Sequence, residues 1–319
     1  MSLPTLIVHA DWSVKPEKRW MSVIERRKNG RFTACPPEPV GTLGSLMERL
    51  VDRAHHIRPG GRVFLGIDVP IGLPSAYAAK AGIGTFLSAL PRFGRGEWED
   101  FYNVAARPEE ISHLRPFYPL RPGGARQQHL LRGLDVPSME VLLRRVEGRT
   151  SDRPAASTLF WTMGARQVGK AAISAWRDLL APTLNERPGE VAVWPFDGRL
   201  DSLIREHPLT VAEVYPAEAC VQLGLGPPGR RWSKRSAQDR TVHCGALTGW
   251  AQARALHLHP TLTACLENGF GDRPEAEDQF DSVVALFSML EVVQGRRSAG
   301  VPDCAVVQSV EGWILGQQP

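Results

Sequence analysis

Five acidic residues stand where a carboxylate can do chemistry. Asp11 closes an apolar strand-like run, and Asp68 closes another within Gly66-Ile67-Asp68-Val69-Pro70-Ile71-Gly72-Leu73-Pro74. Glu213 shares one face of a strand-like run with Val211 and Tyr215 among apolar neighbours, and a buried carboxylate needs a partner. Asp278 and Asp281 fall on one side of a helical wheel with Ser282 and Ala285, opposite Phe280, Val283, Val284 and Phe287. Carboxylates that converge raise one another's pKa, and a hard divalent ion such as Mg²⁺ or Mn²⁺ relieves the repulsion through oxygen ligands. Two such ions, about 3.5 to 4 Å apart, activate a water and stabilise the entering and leaving oxygens of a phosphodiester. The pattern predicts metal-assisted phosphoryl chemistry, with Asp11, Asp68, Glu213 and Asp281 as metal ligands and Asp278 as a further ligand or general base. The competing readings are structural: Asp11 and Asp68 as caps, Glu213 in a salt bridge to an arginine, and the helical acids at the positive end of a helix dipole.

Cationic segments supply the matching partner chemistry. Arg230-Arg231-Trp232-Ser233-Lys234-Arg235 sets four cations beside an aromatic ring, remote in sequence from the carboxylates and suited to phosphate contact and base stacking. A solvated basic loop is the alternative. Arg115, Arg121, Arg126 and Arg132 either clamp a nucleic-acid strand or keep a loop soluble. Gly164-Ala165-Arg166-Gln167-Val168-Gly169-Lys170-Ala171 matches the G-x-x-x-x-G-K pattern, but Ala171 stands where a hydroxyl would hold Mg²⁺. Arg166 and Lys170 are left as candidates for holding a phosphate at a helix start, against a purely structural helix start. Trp12-Ser13-Val14-Lys15 lacks the glycines of an ATPase phosphate turn. His243, Cys244, His257, His259 and Cys265 fit no zinc spacing, and His9 is either packed or beside the metals.

The elements that must position these residues begin with strand-like runs at 5–10, 20–25 and 31–35, with Asn29-Gly30 as a turn. Leu43, Leu46, Met47 and Leu50 form a helical stripe, and 63–68 is a further strand. Residues 70–154 are rich in Pro, Gly and Arg, with short helical stretches at 75–81 and 138–145 and no clear strand, which reads as an insertion or lid. Beyond it come a strand-like run at 157–163, a helix over about 166–180, strands at 190–194 and 209–215, helices at 237–257 and 275–292, and a late strand pair or strand end at 305–315. The expected domains are a core made of 1–69 and 155–319 and the 70–154 insertion.

Asp11, the Gly66 to Pro74 segment, Glu213-Val214-Tyr215-Pro216, Asp278-x-x-Asp281 and Glu311-Gly312-Trp313-Ile314 together resemble the domain-of-unknown-function family 429. That family is described as predicted nucleases of ribonuclease H-like fold, and the resemblance spans most of the chain. It implies an α/β fold with a five-stranded mixed sheet, helices on both faces and a large inserted region, together with metal-dependent nuclease chemistry.

Bulk properties agree with a folded chain that does not enter a membrane. Among 319 residues, 43% are hydrophobic and 23% charged, close to globular averages. A net charge of +4 is too small to demand a polyanionic partner by itself. Five cysteines in no paired spacing read as reduced thiols. The longest strongly apolar run, 283–290, falls far short of the roughly 20 residues that span a bilayer, and the N-terminus lacks a signal peptide's pattern, so a cytoplasmic protein is expected. The expected function is a Mg²⁺- or Mn²⁺-dependent nuclease with nucleic acid as its partner, DNA or RNA left open. The alternatives are a non-catalytic nucleic-acid or partner-binding module, or a nucleotide phosphotransferase using the 164–170 loop.

Overall fold

The computed structural model describes residues 3–150, 154–163, 168–225 and 232–319. At its centre lies β1 (Leu6–Asp11), all six residues of which are buried. Alternate side chains of a strand leave on opposite faces, so a strand buried throughout must be covered twice. Leu6, Val8 and Ala10 join one hydrophobic cluster with Val63, Leu65, Ile67, Leu209 and Val211, whereas Ile7 joins a second with Phe64 and Ala212.

The remaining strands are β2 (Trp20–Arg26), β3 (Phe32–Ala34), β4 (Glu38–Pro39), β5 (Val63–Ile67), β6 (Val191–Val193), β7 (Leu209–Glu213) and β8 (His257–Leu258). They form one mixed sheet of eight strands in the order β6-β7-β5-β1-β2-β3-β8, with β4 also paired to β2. β2 runs antiparallel to β1 and β3, while β1, β5, β7 and β6 are mutually parallel. Five strands were expected. Of the additional ones, β4 and β8 are two residues long, too short for any periodicity, and β8 lies where a helix was expected to continue. That helix stops because Ala255 takes a positive φ of 52°, which turns His257 and Leu258 into register with Thr33 and Ala34.

Helices cover both faces. α1 (Leu46–Ile57) lays Leu46, Met47, Leu50 and Ala54 on the first cluster, as its stripe predicts. The second face carries α7 (Leu200–Glu206), α8 (Pro216–Gln222), α9 (Ala237–Ala253), α10 (Pro260–Glu267) and α11 (Ala276–Val293), the last crossing β1 and β2. No described helix is long and apolar enough to cross a membrane.

The described residues of 70–154 add no strand to the sheet and contain α2 (Ser75–Lys80), α3 (Phe86–Ala89) and α4 (Gln127–Gly133), with 3₁₀ turns in place of the helix expected at 138–145. The segment is not a free flap. Its Tyr77, Phe86, Phe93, Phe101 and Phe117 share the first cluster with the sheet, Phe93 stacking on Phe101 at 3.7 Å between ring centroids. α5 (Val168–Ala175) widens into a π-helical turn, Trp176–Leu180, before α6 (Ala181–Glu186). The widening comes just ahead of Pro182, which has no N–H to bond back along the helix.

The run at 305–315 is a π-helical turn, Val307–Glu311, followed by a single bridge from Ile314 to Glu213, and not a strand pair. Two backbones cross here. A Cβ on Gly312 would lie 2.1 Å from the Ile71 carbonyl oxygen, and one on Gly72 would lie 2.2 Å from that of Glu311. Both glycines also take positive φ, so no other residue fits the crossing without strain.

Candidate functional site

β1 and β5 are parallel neighbours, so their carboxyl ends lie at the same edge of the sheet. Asp11 is the last residue of β1, and Asp68 follows β5 with its N–H bonded to the Ala10 carbonyl. α11 brings the third carboxylate by lying close to the strands. The Ser282 hydroxyl meets that of Ser22 at 2.7 Å, and a Cβ on Gly66 would come within 2.6 Å of Met289 Sδ and Val214 Cγ2. Small residues at this contact set Asp281 beside the strand ends.

The charges of these carboxylates act on one another. Burial, then the charges of Asp281, Asp68 and Asp278, hold the Asp11 carboxyl well above the ordinary range, with Lys234 opposing. Asp68 is pushed up to about 8, first by burial and then by Asp281, again against Lys234. Asp278 rises to about 6 through burial and the neighbouring acids Glu277 and Asp281, against the pull of Lys18. One oxygen of Asp278 is buried without a hydrogen-bond partner.

Lys234 is the cation in this cluster. Its ammonium donates to Asp281 Oδ1 at 2.7 Å and Oδ2 at 2.5 Å. Burial lowers the pKa of Lys234, but Asp281, Cys220 and Asp68 outweigh it, so the group stays charged. Lys234 thus reaches a carboxylate that is remote from it in sequence, whereas the basic stretch was expected to contact a phosphate backbone. Trp232 is also committed, its ring 4.0 Å from that of His243 and packed against Phe280, so it is not a free stacking platform. Arg235 is 82% exposed with a loose pair to Glu277 at 3.6 Å. Arg230 and Arg231 lie outside the described residues.

Glu213 is held in a buried salt bridge, and its charge also adds to the raised pKa of Asp68. It follows Leu209 and Val211 on the face opposite α11, where Arg144 grips both its oxygens at 2.7 Å and the Ile71 N–H donates to Oε2 at 2.7 Å. Arg144, 1% exposed, also holds Glu147 and donates to the Glu311 carbonyl. The salt-bridge reading of Glu213 therefore holds, and Arg144 ties the 70–154 segment to β7. Nothing in the sequence marked Arg144, which lies in a short stretch read as helical and beside a second arginine, Arg145.

The other candidates resolve as follows. Arg166 lies outside the described residues, and Lys170 sits in the first turns of α5. The second glycine of that pattern is there for packing, because a Cβ on Gly169 would lie 2.1 Å from the Leu159 carbonyl oxygen. Residues 157–163 give one bridge, Tyr118 to Trp161, instead of a strand leading into the loop. His9 is buried beneath α11, and desolvation drives its imidazole down to about 3, leaving it neutral.

All-oxygen donors crowded around one ammonium suit a hard divalent ion by chemistry. Their arrangement is not that of a closed metal site: among the described residues no three of His, Cys, Asp or Glu are placed to hold an ion together. Fold and site together define an α/β protein whose mixed sheet gathers carboxylates at the ends of two parallel central strands. Residues 15–304 match the family described as "Protein of unknown function (DUF429)", and the chain belongs to that family. Asp68, Lys234, Asp278 and Asp281 lie within the matched stretch, and Asp11 just before it. No curated protein and no solved structure matches the chain.

Proposed function

We propose that this protein is a metal-dependent nuclease built on a ribonuclease H-like core. The observation that carries the reading is the mutual influence of three carboxylates from separate elements: the charge of Asp281 raises the pKa of both Asp11 and Asp68, and that of Asp68 raises Asp11. Stability alone gives no reason to bury like charges together, and perturbed carboxylates of this kind cluster at functional sites. The fold supports it: the five central strands β3-β2-β1-β5-β7 form a mixed sheet in which only β2 runs against the others, with helices on both faces.

In this reading Asp11, Asp68 and Asp281 would have to draw together, with Lys234 moving off Asp281, to hold Mg²⁺ or Mn²⁺, and the ion would supply a polarised water and charge compensation for phosphate oxygens. Asp278 is the general base in this reading, supported by a carboxyl raised to about 6 and one oxygen without a hydrogen-bond partner. Lys234, once released from Asp281, pairs with a substrate phosphate, and exposed Arg235 extends that contact. All five cysteines are free, which fits a reducing compartment such as the cytoplasm.

The test is hydrolysis of end-labelled DNA and RNA oligonucleotides with Mn²⁺, with EDTA, and with Asp68→Asn. Cleavage that needs both Mn²⁺ and Asp68 supports the nuclease. A second reading, a non-catalytic nucleic-acid-binding module, is favoured by the Lys234 ammonium already sitting on Asp281. Oligonucleotide binding without Mn²⁺-dependent cleavage would select it.

A further inference from the structure

A second concentration of unbalanced charge lies at the opposite end of the sheet. β1 starts there and runs six residues to Asp11, about 17 Å at ~3.3 Å per residue. A cavity of about 350 Å³ opens between the start of β1, the end of β2, the turn after it and the end of α1, lined by Thr5, Arg26, Arg27, Lys28, Arg58 and Pro59 and by no acidic residue. Arg27 is paired to Glu25 at 2.7 Å. Arg26, Lys28 and Arg58 have no ion-pair partner among the described residues.

The walls of the cavity are set by backbone. The Arg26 N–H donates to the Thr5 carbonyl, the Arg27 N–H to Arg31, the Gly30 N–H back to Arg27, and the Arg58 N–H caps α1 at Ala54. Within this frame the Arg26 Nε–H is buried and has no acceptor. Buried donors are nearly always paired, and a guanidinium beside further cations presents the planar fork that accepts a phosphate.

We propose that this cavity binds a phosphoryl group, with Arg26, Lys28 and Arg58 as its donors. The site is distinct from the carboxylate cluster and does not rest on the nuclease reading. Its ligand is a free phosphate ester or a phosphate of a nucleic-acid backbone, the chemistry being the same.

The test is calorimetric titration with inorganic phosphate, a nucleoside monophosphate and an oligonucleotide, in EDTA so that no divalent ion takes part. Lys28→Gln/Arg58→Gln removes two exposed cations without touching the core, and Arg26→Lys keeps the charge while removing the fork. Saturable phosphate binding that weakens at least about tenfold in both variants supports the site, since each lost charge-assisted bond accounts for that much. If oligonucleotide affinity falls in parallel, the ligand is a nucleic-acid backbone; if only the phosphate and the monophosphate are affected, it is a free ester. Absence of saturable phosphate binding, or equal affinity in wild type and variants, overturns the proposal whether or not the protein cleaves nucleic acid.

Discussion

Lys234 and Asp281, 47 residues apart in sequence, form a two-pronged ion pair in which one ammonium meets both carboxylate oxygens. The pair closes one side of a cluster in which Lys234 opposes the raised pKa of Asp11, Asp68 and Asp281, while Lys18 opposes that of Asp278. One ammonium does not balance three buried carboxylates, and with burial as the larger cause Asp11 and Asp68 remain above the ordinary range despite it. The arrangement holds its charges together only while some carboxyls stay protonated or while a further cation is present.

Replacing the lysine tests this balance. Lys234→Met leaves Asp281 facing its neighbours without compensation and is expected to cost about 2 kcal/mol at neutral pH, below the ~3 to 5 of a fully buried pair because the lysine side chain is 25% exposed. It also frees both Asp281 oxygens, so the stabilisation given by Mn²⁺ grows. Thermal melts with and without Mn²⁺ measure both effects; an Mn²⁺ shift equal to that of the wild type would place the ion elsewhere.

The metal-free protein is expected to lose stability as pH rises above neutrality. Asp68 and Asp278 have folded-state pKa values of about 8 and about 6, against an ordinary 3.8. Between 3.8 and those values the folded chain holds protons that the unfolded chain has released, so each contribution is complete below 3.8 and is lost as pH rises through the folded value. His9 works in the opposite sense, with its pKa lowered to about 3 from 6.5, and costs stability as pH falls below 6.5. The carboxylate trend is therefore read between pH 6.5 and 8, with a limiting slope of about 1.4 kcal/mol per pH unit for each group still protonated. Urea midpoints in EDTA should fall across that window and fall less in Asp68→Asn.

What the sequence reveals of the site is what local pattern encodes. The strand-end positions of Asp11 and Asp68 and the small-residue side of α11 are properties of single elements, and each lies where its periodicity places it. Lys234 is different, because a run of cations reads alike whether it is solvated or folded back onto a helix 47 residues away. Arg144 is hidden for the same reason, 69 residues from Glu213 in a segment whose local pattern says nothing of that partner. The fold shows the same division: β1, β2, β5, β7, α1 and α11 follow from periodicity. The turn at 307–311 depends instead on the backbone crossing of Gly72 and Gly312, which no pattern within either segment announces.

Arg144 is expected to be an anchor of the fold. Arg144→Met leaves Glu213 and Glu147 buried without their cation and should cost about 3 to 5 kcal/mol. Arg144→Met/Glu213→Leu should regain part of that loss, because removing the stranded carboxylate relieves the larger share of the penalty. Denaturant midpoints of the two variants decide it, and a single-variant loss below about 1 kcal/mol would show that the pair contributes only packing.

The last expectation separates Asp11 and Asp68 from Glu213, which Arg144 holds. An ion that binds only the folded state stabilises it by RT ln(1 + [L]/Kd), about 2.7 kcal/mol at ~100 times Kd. Asp68→Asn and Asp11→Asn should each remove most of that gain. Asp11→Asn should also leave the metal-free protein as stable as the wild type or more so, since it takes one charge out of the repelling group. Glu213→Gln should behave in the opposite way. It weakens the metal-free protein, because Arg144 loses an ionic partner, yet it keeps the Mn²⁺ response, because both Glu213 oxygens are already held by Arg144. The measurement is the Mn²⁺ concentration dependence of the melting temperature in the four proteins. If Glu213→Gln loses the response as Asp68→Asn does, then Glu213 belongs to the ligand set, and the Arg144 pair must open when the ion enters.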